Sequence, residues 1–501
     1  MDARRPHRPS RAPARRGRAR RRLRALALAL FATALAGCAT APLPELPDDT
    51  PAAWRNAPSA AAAREPAPDL RSWWTAFDDP LLDRLVDEAL AENLSIREAA
   101  LRIAGARALD RRTRADYLPQ AGAHTYAEPT PDSSASYFQI GFDAKWELGL
   151  FGRADGHARV TGAELALAED DLQSARVSVV AEVVRSYVEL RGAQRRLELL
   201  ETLAATAARK ADLVATRVRL RQAAAGELAR ARAEQAAAEA APYAPRLAIE
   251  TSRRKLAVLL AKNEPDAELD APGAQPRLGA LGVAAAPADL LRTRPEIRRA
   301  EHAVLKAAGE LGLARAELYP RLGLGGSLTY AARVIGHTRL SDADGIVTIG
   351  PLIDIPLFDW GARRAAADAR ATELSASVLA YRQAVLDGVA EAETALAALE
   401  RQRERVAALE RGVPELERAE RDAATLGRLG LADGLDRAAA ADARAQAELE
   451  LAQALEDRAV AFVALYKSLG GAPLPAVDAA PGDAAAADAA LARGAPAERA
   501  R

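Results

Sequence analysis

Few side chains in this chain could do chemistry, and their spacing limits that chemistry sharply. One cysteine occurs among 501 residues, Cys38, so neither an intrachain disulfide nor a multi-cysteine zinc site can form. Just ahead of it stand Leu35-Ala36-Gly37, and small residues before a cysteine suit a signal peptidase. The five histidines, at 7, 124, 157, 302 and 337, share no ligand spacing, so no metal centre is expected. No G-x-x-x-x-G-K-[ST] motif and no catalytic constellation occur, so neither a cofactor nor an enzymatic activity is expected. Lys plus Arg and Asp plus Glu number 69 each, yet residues 1–37 hold eleven Arg and a single acid, Asp2. The remainder carries 58 basic and 68 acidic side chains, a net of −10, which argues against general nucleic-acid binding.

The elements that would position these residues begin with the basic N-terminus. Arg4 to Arg24 form a basic n-region, and Leu23 to Leu35 a short apolar stretch. Ala25–Ala36 is too short to span a bilayer, which takes about 20 apolar residues. Leu35-Ala36-Gly37-Cys38 resembles the bacterial lipobox. The resemblance implies cleavage before Cys38, a diacylglycerol thioether on its sulfur and an acylated N-terminus. Ala39, where Asp would imply inner-membrane retention, implies the outer membrane by the same rule. No later stretch reaches 18 uninterrupted apolar residues, so no transmembrane helix is expected in the mature chain. Residues 1–37 are thus a signal peptide, 38–70 an acylated tether rich in Pro, Ala and Asp, and 472–501 a disordered tail.

Between tether and tail the chain repeats itself. Tyr117-Leu118-Pro119 recurs as Leu318-Tyr319-Pro320, an offset of 201 at the proline. Phe151-Gly152-Arg153-Ala154 is echoed by Phe358-Asp359-Trp360-Gly361-Ala362-Arg363, an offset of 207 at the phenylalanine. The first repeat, 71–270, is expected to hold strands over about 121–128 and 137–148 and long helices over about 152–223 and 227–262. The second, 271–471, is expected to hold strands over about 321–331 and 345–357 and helices over about 362–426 and 432–469.

The strands carry the clearest physics. In Tyr137–Leu148 the residues Phe138, Ile140, Phe142, Ala144, Trp146 and Leu148 alternate with Tyr137, Gln139, Gly141, Asp143, Lys145 and Glu147. That period of two gives one greasy and one charged face. In the second repeat Leu322, Leu324, Leu328 and Tyr330 oppose Arg321, Ser327 and Thr329, while Val347, Ile349, Ile353, Ile355 and Leu357 oppose Thr348 and Asp354. A soluble sandwich is one reading, but two hairpins in a helical chain offer little sheet for it. A membrane barrel is the other, with the apolar residues facing lipid and Asp143, Lys145 and Glu147 facing a lumen. Four strands cannot close a barrel, which needs at least about 8, so other copies must complete it. Two copies would give an interior filled by side chains, and three would leave room for a channel.

The helices are long enough to continue such a channel. About 70 residues from Gly152 without a proline would reach roughly 100 Å. Val177, Val180, Val184, Tyr187 and Val188, and in the second copy Val385, Val389, Ala392, Leu396 and Leu399, keep coiled-coil spacing. Pro242 and Pro245 should split the first return helix, and Pro414 should kink the second long one.

Five motifs carry a family resemblance. Ser72-Trp73-Trp74-Thr75-Ala76-Phe77-Asp78-Asp79-Pro80-Leu81-Leu82, with Ala89-Leu90 and Asn93, resembles the opening of TolC-like outer-membrane efflux proteins, more narrowly the NodT-type lipoprotein branch serving resistance-nodulation-division pumps. Trp146-Glu147-Leu148-Gly149-Leu150-Phe151-Gly152-Arg153 is similar to that branch's W-E-x-D-L-F-G-R, with Gly149 where Asp is usual. Pro287–Ile297 with Ala300-Glu301, then Pro356–Arg364, then Leu465–Gly471 follow in order. Thr293 and Glu296 could form a capping box with Pro295 as the first helical residue. The resemblance implies an α+β membrane protein with an internal duplication. In that trimeric TolC-like fold each protomer gives four strands to a 12-stranded β-barrel, continued by a long α-helical periplasmic barrel. It implies a passive outer-membrane channel of a tripartite efflux system, a homotrimer docking with a periplasmic adaptor and an inner-membrane pump. On this reading Cys38 is lipidated, and Phe138, Ile140, Phe142, Trp146, Ile349, Ile353 and Ile355 face outer-membrane lipid.

The family's second turn is altered here. Gly430-Leu431-Ala432-Asp433-Gly434-Leu435-Asp436 matches its start, but Ala438–Ala441 replaces the L-D-A-Q-R stretch. By position from Gly430, Leu435 matches the family's apolar constriction residue, while Ala439 and Asp442 stand where Asp and Arg are expected. The first turn lacks its usual glycine near Gln222. Leu435, Asp436 and Asp442 are the candidate periplasmic gate. Metal efflux and type I secretion use the same fold, and a lipid-anchored periplasmic coiled-coil adaptor or scaffold is the rival of a different class.

Overall fold

The helix that starts at Pro80 shows how local chemistry sets the elements. Asp79 accepts hydrogen bonds from Leu81 N at 3.0 Å and Leu82 N at 3.3 Å, and Pro80 stands at the first helical position, where its missing N–H costs nothing. Helix α1 (Pro80–Glu92) follows, burying Leu82, Leu85, Val86 and Ala89 along one stripe. Asn93 closes it and caps α2 (Leu94–Ala115), its Oδ1 accepting from Ser95 N and Ile96 N. The computed structural model describes residues 43–47, 49–56, 65–128, 137–279, 294–333 and 345–474. Cys38, Thr293, residues 129–136 and 334–344 between the paired strands and residues 475–501 of the expected tail lie outside those residues. Ala472, at the start of that tail, is instead buried and accepts a hydrogen bond from Gln173 Nε2 at 3.4 Å rather than being disordered.

Strands β1 (Gln120–Glu128) and β2 (Tyr137–Glu147) lead into α3 (Arg153–Arg219). Then come α4 (Ala225–Ala240) and α5 (Tyr243–Leu259), parted at Ala241-Pro242, where proline cannot supply the next helical N–H. Pro245 sits in the first turn of α5, where its ring is tolerated. The second repeat supplies α6 (Pro295–Ala316), β3 (Arg321–Arg333), β4 (Gly345–Asp354), α7 (Ala362–Arg428) and α8 (Gly434–Ser468). Helix α7 continues through Pro414, which is exposed, so water can solvate the carbonyl left unpaired a turn earlier. Both α3 and α7 are 67 residues long, about 100 Å each.

The chain forms two compact units. One holds residues 43–46, 104–167 and 301–381 and contains the one sheet found among the described residues, ordered β1-β2-β3-β4 and antiparallel throughout. Here Lys306 Nζ meets Glu164 Oε1 at 2.9 Å, and Phe151 stacks on Tyr319 with ring centroids 5.2 Å apart. A Cβ on Gly309 would come within 2.8 Å of Val160, so the missing side chain sets that close approach.

The other unit holds residues 47–103, 168–300 and 382 onward. Its aromatic core joins two of the sequence motifs. Trp73 is fully buried, 5.5 Å from the Tyr466 ring and 5.8 Å from Phe462, and its Nε1 donates to Gly471 O at 3.0 Å. Gly471 cannot carry a side chain, because a Cβ there would lie 2.8 Å from Tyr466 O and 2.9 Å from Trp73.

The corners before the two long helices revise the repeat's register. Phe151 and Gly152 have φ of 56° and 78°, and Trp360 and Gly361 have 57° and 83°. Trp360, not Phe358, is therefore the counterpart of Phe151, with an offset of 209 like that between the helix starts, Arg153 and Ala362. The phenylalanines match in type but not in backbone. Strand β4 also ends at Asp354, so Ile355 lies one residue past the strand to which the alternation assigns it.

Candidate functional site

Cross-strand partners share a face, so the register sorts the sheet. Phe142 pairs with Ala123 and Leu328, and Leu328 with Val347. On the same face Ala144 pairs with Gly326 and Gly326 with Ile349; Trp146 pairs with Leu324, and Leu322 with Ile353. Ile140 joins them opposite Thr125 and Tyr330. Phe138 falls at the same parity, between Ala127 and Ala332. The face is apolar and open, with Ile349 87% exposed.

The opposite face holds Asp143 level with Ser327 and Thr348, Lys145 level with Gln120 and Gly325, and Glu147 level with Gly323. Ser327 Oγ and Thr348 Oγ1 share a hydrogen bond of 2.7 Å, and His124 Nδ1 lies 3.1 Å from Asp143 Oδ1. At the end of this face a cavity of about 660 Å³ is lined by Lys145, Glu147, Arg153, His157, Arg321 and Asp354, among others. Arg153 is almost buried, its Nε 3.6 Å from Glu147 and its Nη1 3.9 Å from Glu317. Tyr117 Oη lies 2.5 Å from His157 Nδ1. Burial pushes the Tyr117 phenol up to about 12, and burial together with the Arg153 charge holds His157 below its usual range.

At the far end of α7 the chain turns through Gly430, φ 71°. Asp433 caps α8, accepting from Leu435 N at 2.8 Å and Asp436 N at 2.9 Å. Asp436 Oδ2 in return accepts from Asp433 N at 2.9 Å, completing a capping box. Asp442 pairs with Lys210 of α3 at 2.7 Å, and Arg217 Nη1 lies 3.9 Å from Asp433. Both candidate gate carboxylates are therefore engaged within their own protomer. Leu435 is half-buried, and Leu213 packs against its neighbour Gly434, where a Cβ would come within 2.9 Å.

The sequence profile of the outer membrane efflux protein family matches residues 85–262 and 286–471. The chain belongs to that family. As a member it is an outer-membrane efflux channel with the TolC-like α+β fold. The chain is 27% identical to Nodulation protein T of Rhizobium leguminosarum bv. trifolii, over 81% of this chain and 89% of that one. It is 29% identical to the outer membrane protein OprJ of Pseudomonas aeruginosa, over 88% and 94%. It superposes on the solved outer-membrane channel OprN with a TM-score of 0.76 at 31% identity, covering 87% of this chain and all of that one.

For this efflux channel, sequence patterning missed Lys210, Arg217 and the Tyr117–His157 pair. Lys210 and Arg217 stand in the last turns of α3, so helix length places them near the turns. Their orientation about the helix axis has no comparable signal. Among the described residues no helix is long and apolar enough to cross a membrane, which bears on helices alone.

Proposed function

We propose that the protein is the passive exit duct of a tripartite efflux assembly, a homotrimer held in the outer membrane by its barrel and by an acyl group on Cys38. The observation that carries this reading is one four-stranded sheet with an apolar face across β1–β4, a polar face behind it and, among the described residues, both edges unpaired. Three copies supply twelve strands, enough for a closed barrel with an open interior. Phe138, Ile140, Phe142, Trp146, Ile349 and Ile353 then meet lipid, with Ile355 just below the strand. Asp143, Lys145 and Glu147 line the lumen. An inner-membrane pump, reached through a periplasmic adaptor, supplies the energy, and solutes pass by diffusion.

The resting gate is the turn from Thr425 to Asp442. Because Asp436 and Asp442 are held by partners in their own protomer, closure rests on Leu435 packing about the threefold axis. Reconstitution in planar bilayers tests the reading. A channel conducts and runs as heat-stable trimers, whereas a lipid-anchored scaffold conducts nothing. Leu435→Ala should raise resting conductance more than Asp436→Ala does. Unchanged conductance in both, at normal trimer levels, would place the gate elsewhere.

A further inference from the structure

The duplication turns contacts made inside one chain into templates for contacts the chain leaves unmade. The corners before β1 and β3 repeat at 201: Asp116 N donates to Arg112 O as Glu317 N donates to Leu313 O, which makes Leu118 the counterpart of Tyr319. The corners before α3 and α7 repeat at 209: Arg153 N donates to Leu150 O as Ala362 N donates to Asp359 O. Within the chain Phe151 lies flat on Tyr319, the planes 11° apart. The second pair is unmade. Trp360 is 91% exposed and Leu118 is 60% exposed.

The helices repeat the asymmetry. α3 and α6 meet through Lys306–Glu164 and through Gly309 on Val160. Their counterparts α7 and α2 instead present exposed leucines: Leu379 and Leu386 on α7, Leu94 and Leu101 on α2, seven residues apart in each case. The edges β1 and β4 belong to the same two halves.

We propose that Trp360 of one copy seats on Leu118 of the next copy, forming between protomers the corner joint that Phe151 and Tyr319 form within one. The proposal rests on the homotrimer reading and names a point at which its ring closes. The occupant is a second copy because repeated backbone geometry puts the missing partner at Leu118. A headgroup region is the other common setting for an exposed tryptophan, but lipid would leave Leu118 and the α2 leucines uncovered.

Cys38 is the only native thiol and is lipidated on the present reading, so Leu118→Cys with Trp360→Cys introduces the only free thiols. A short bifunctional thiol reagent applied to outer-membrane vesicles should then yield covalent dimers and trimers on denaturing gels. Either single variant should stay monomeric there. Trp360→Ala should lower the heat-resistant trimer fraction severalfold, and Trp360→Phe should restore it. If wild-type native mass shows trimers while the double variant does not cross-link and brominated lipid quenches Trp360, the joint is overturned and the trimer stands. A wild-type monomer by native mass overturns the trimer reading itself. Should the double variant not assemble, co-expressed single variants in mixed trimers answer the same question, and absence of cross-linking there also overturns the joint.

Discussion

Arg221 holds a left-handed backbone, φ 60°, which costs a side chain about 1–2 kcal/mol. Its counterpart at the other turn, 209 positions on, is Gly430, φ 71°. Both close a long helix in the same way: Arg221 N and Gln222 N donate to Val218 O and Arg217 O, and Gly430 N and Leu431 N donate to Gly427 O and Leu426 O. Arg221→Gly should therefore stabilise the first turn by about 1 kcal/mol, and Gly430→Ala should destabilise the second by a similar amount. Opposite shifts in the thermal midpoint of helix loss, read by circular dichroism, would check both. His157 gives the pH counterpart. Its pKa is depressed in the fold by burial and then by Arg153, against the milder opposing pull of Glu147, Asp116 and Glu317. Below the ordinary histidine value of about 6.5 the unfolded chain binds more protons than the folded one, so stability falls as pH drops through that value toward the folded pKa. His157→Gln should flatten this part of a melting-temperature profile while leaving the alkaline side unchanged.

At the scale of the element, the sheet makes the sharpest demand. Phe142 and Asp143 are adjacent in sequence and on opposite faces. An arginine at a lipid-facing midplane position costs roughly 2–4 kcal/mol. Phe142→Arg and Ile353→Arg should each reduce heat-stable trimers in outer-membrane fractions, with Asp143→Arg close to wild type. Equal insertion of all three would reverse the assignment of faces. Much of this element was legible in the sequence, because a period of two over Tyr137–Glu147 fixes which residues share a face without any knowledge of partners. The strand end was less so: Ile355 continues the alternation after the ladder has stopped at Asp354. The corner was misaligned by two residues because identical side chains, Phe151 and Phe358, drew the register away from the positive φ that defines the turn. The tip was the least legible. Asp436 and Asp442 look like free acids in the sequence, and their partners, a backbone N–H and Lys210, depend on cap geometry and on a residue 232 positions away.

For the whole molecule, the equal length of α3 and α7 acts as a ruler shared by the two repeats. Each residue of an α-helix advances about 1.5 Å and turns about 100°. Deleting one residue near Ala204 would therefore swing Lys210 away from Asp442 and Leu213 away from Gly434, although no contact residue had changed. Removing seven residues at one height from every helical arm would leave a drift of only about 20°. The single deletion should abolish assembled channels, and the matched deletion should keep them, as counted by heat-stable trimers. Length in this protein is thus inherited jointly. Substitutions can accumulate singly along either repeat, but an insertion or deletion in one long helix should survive only with its match at the same height in every other helical arm, so the tunnel can grow or shrink only in whole, duplicated steps.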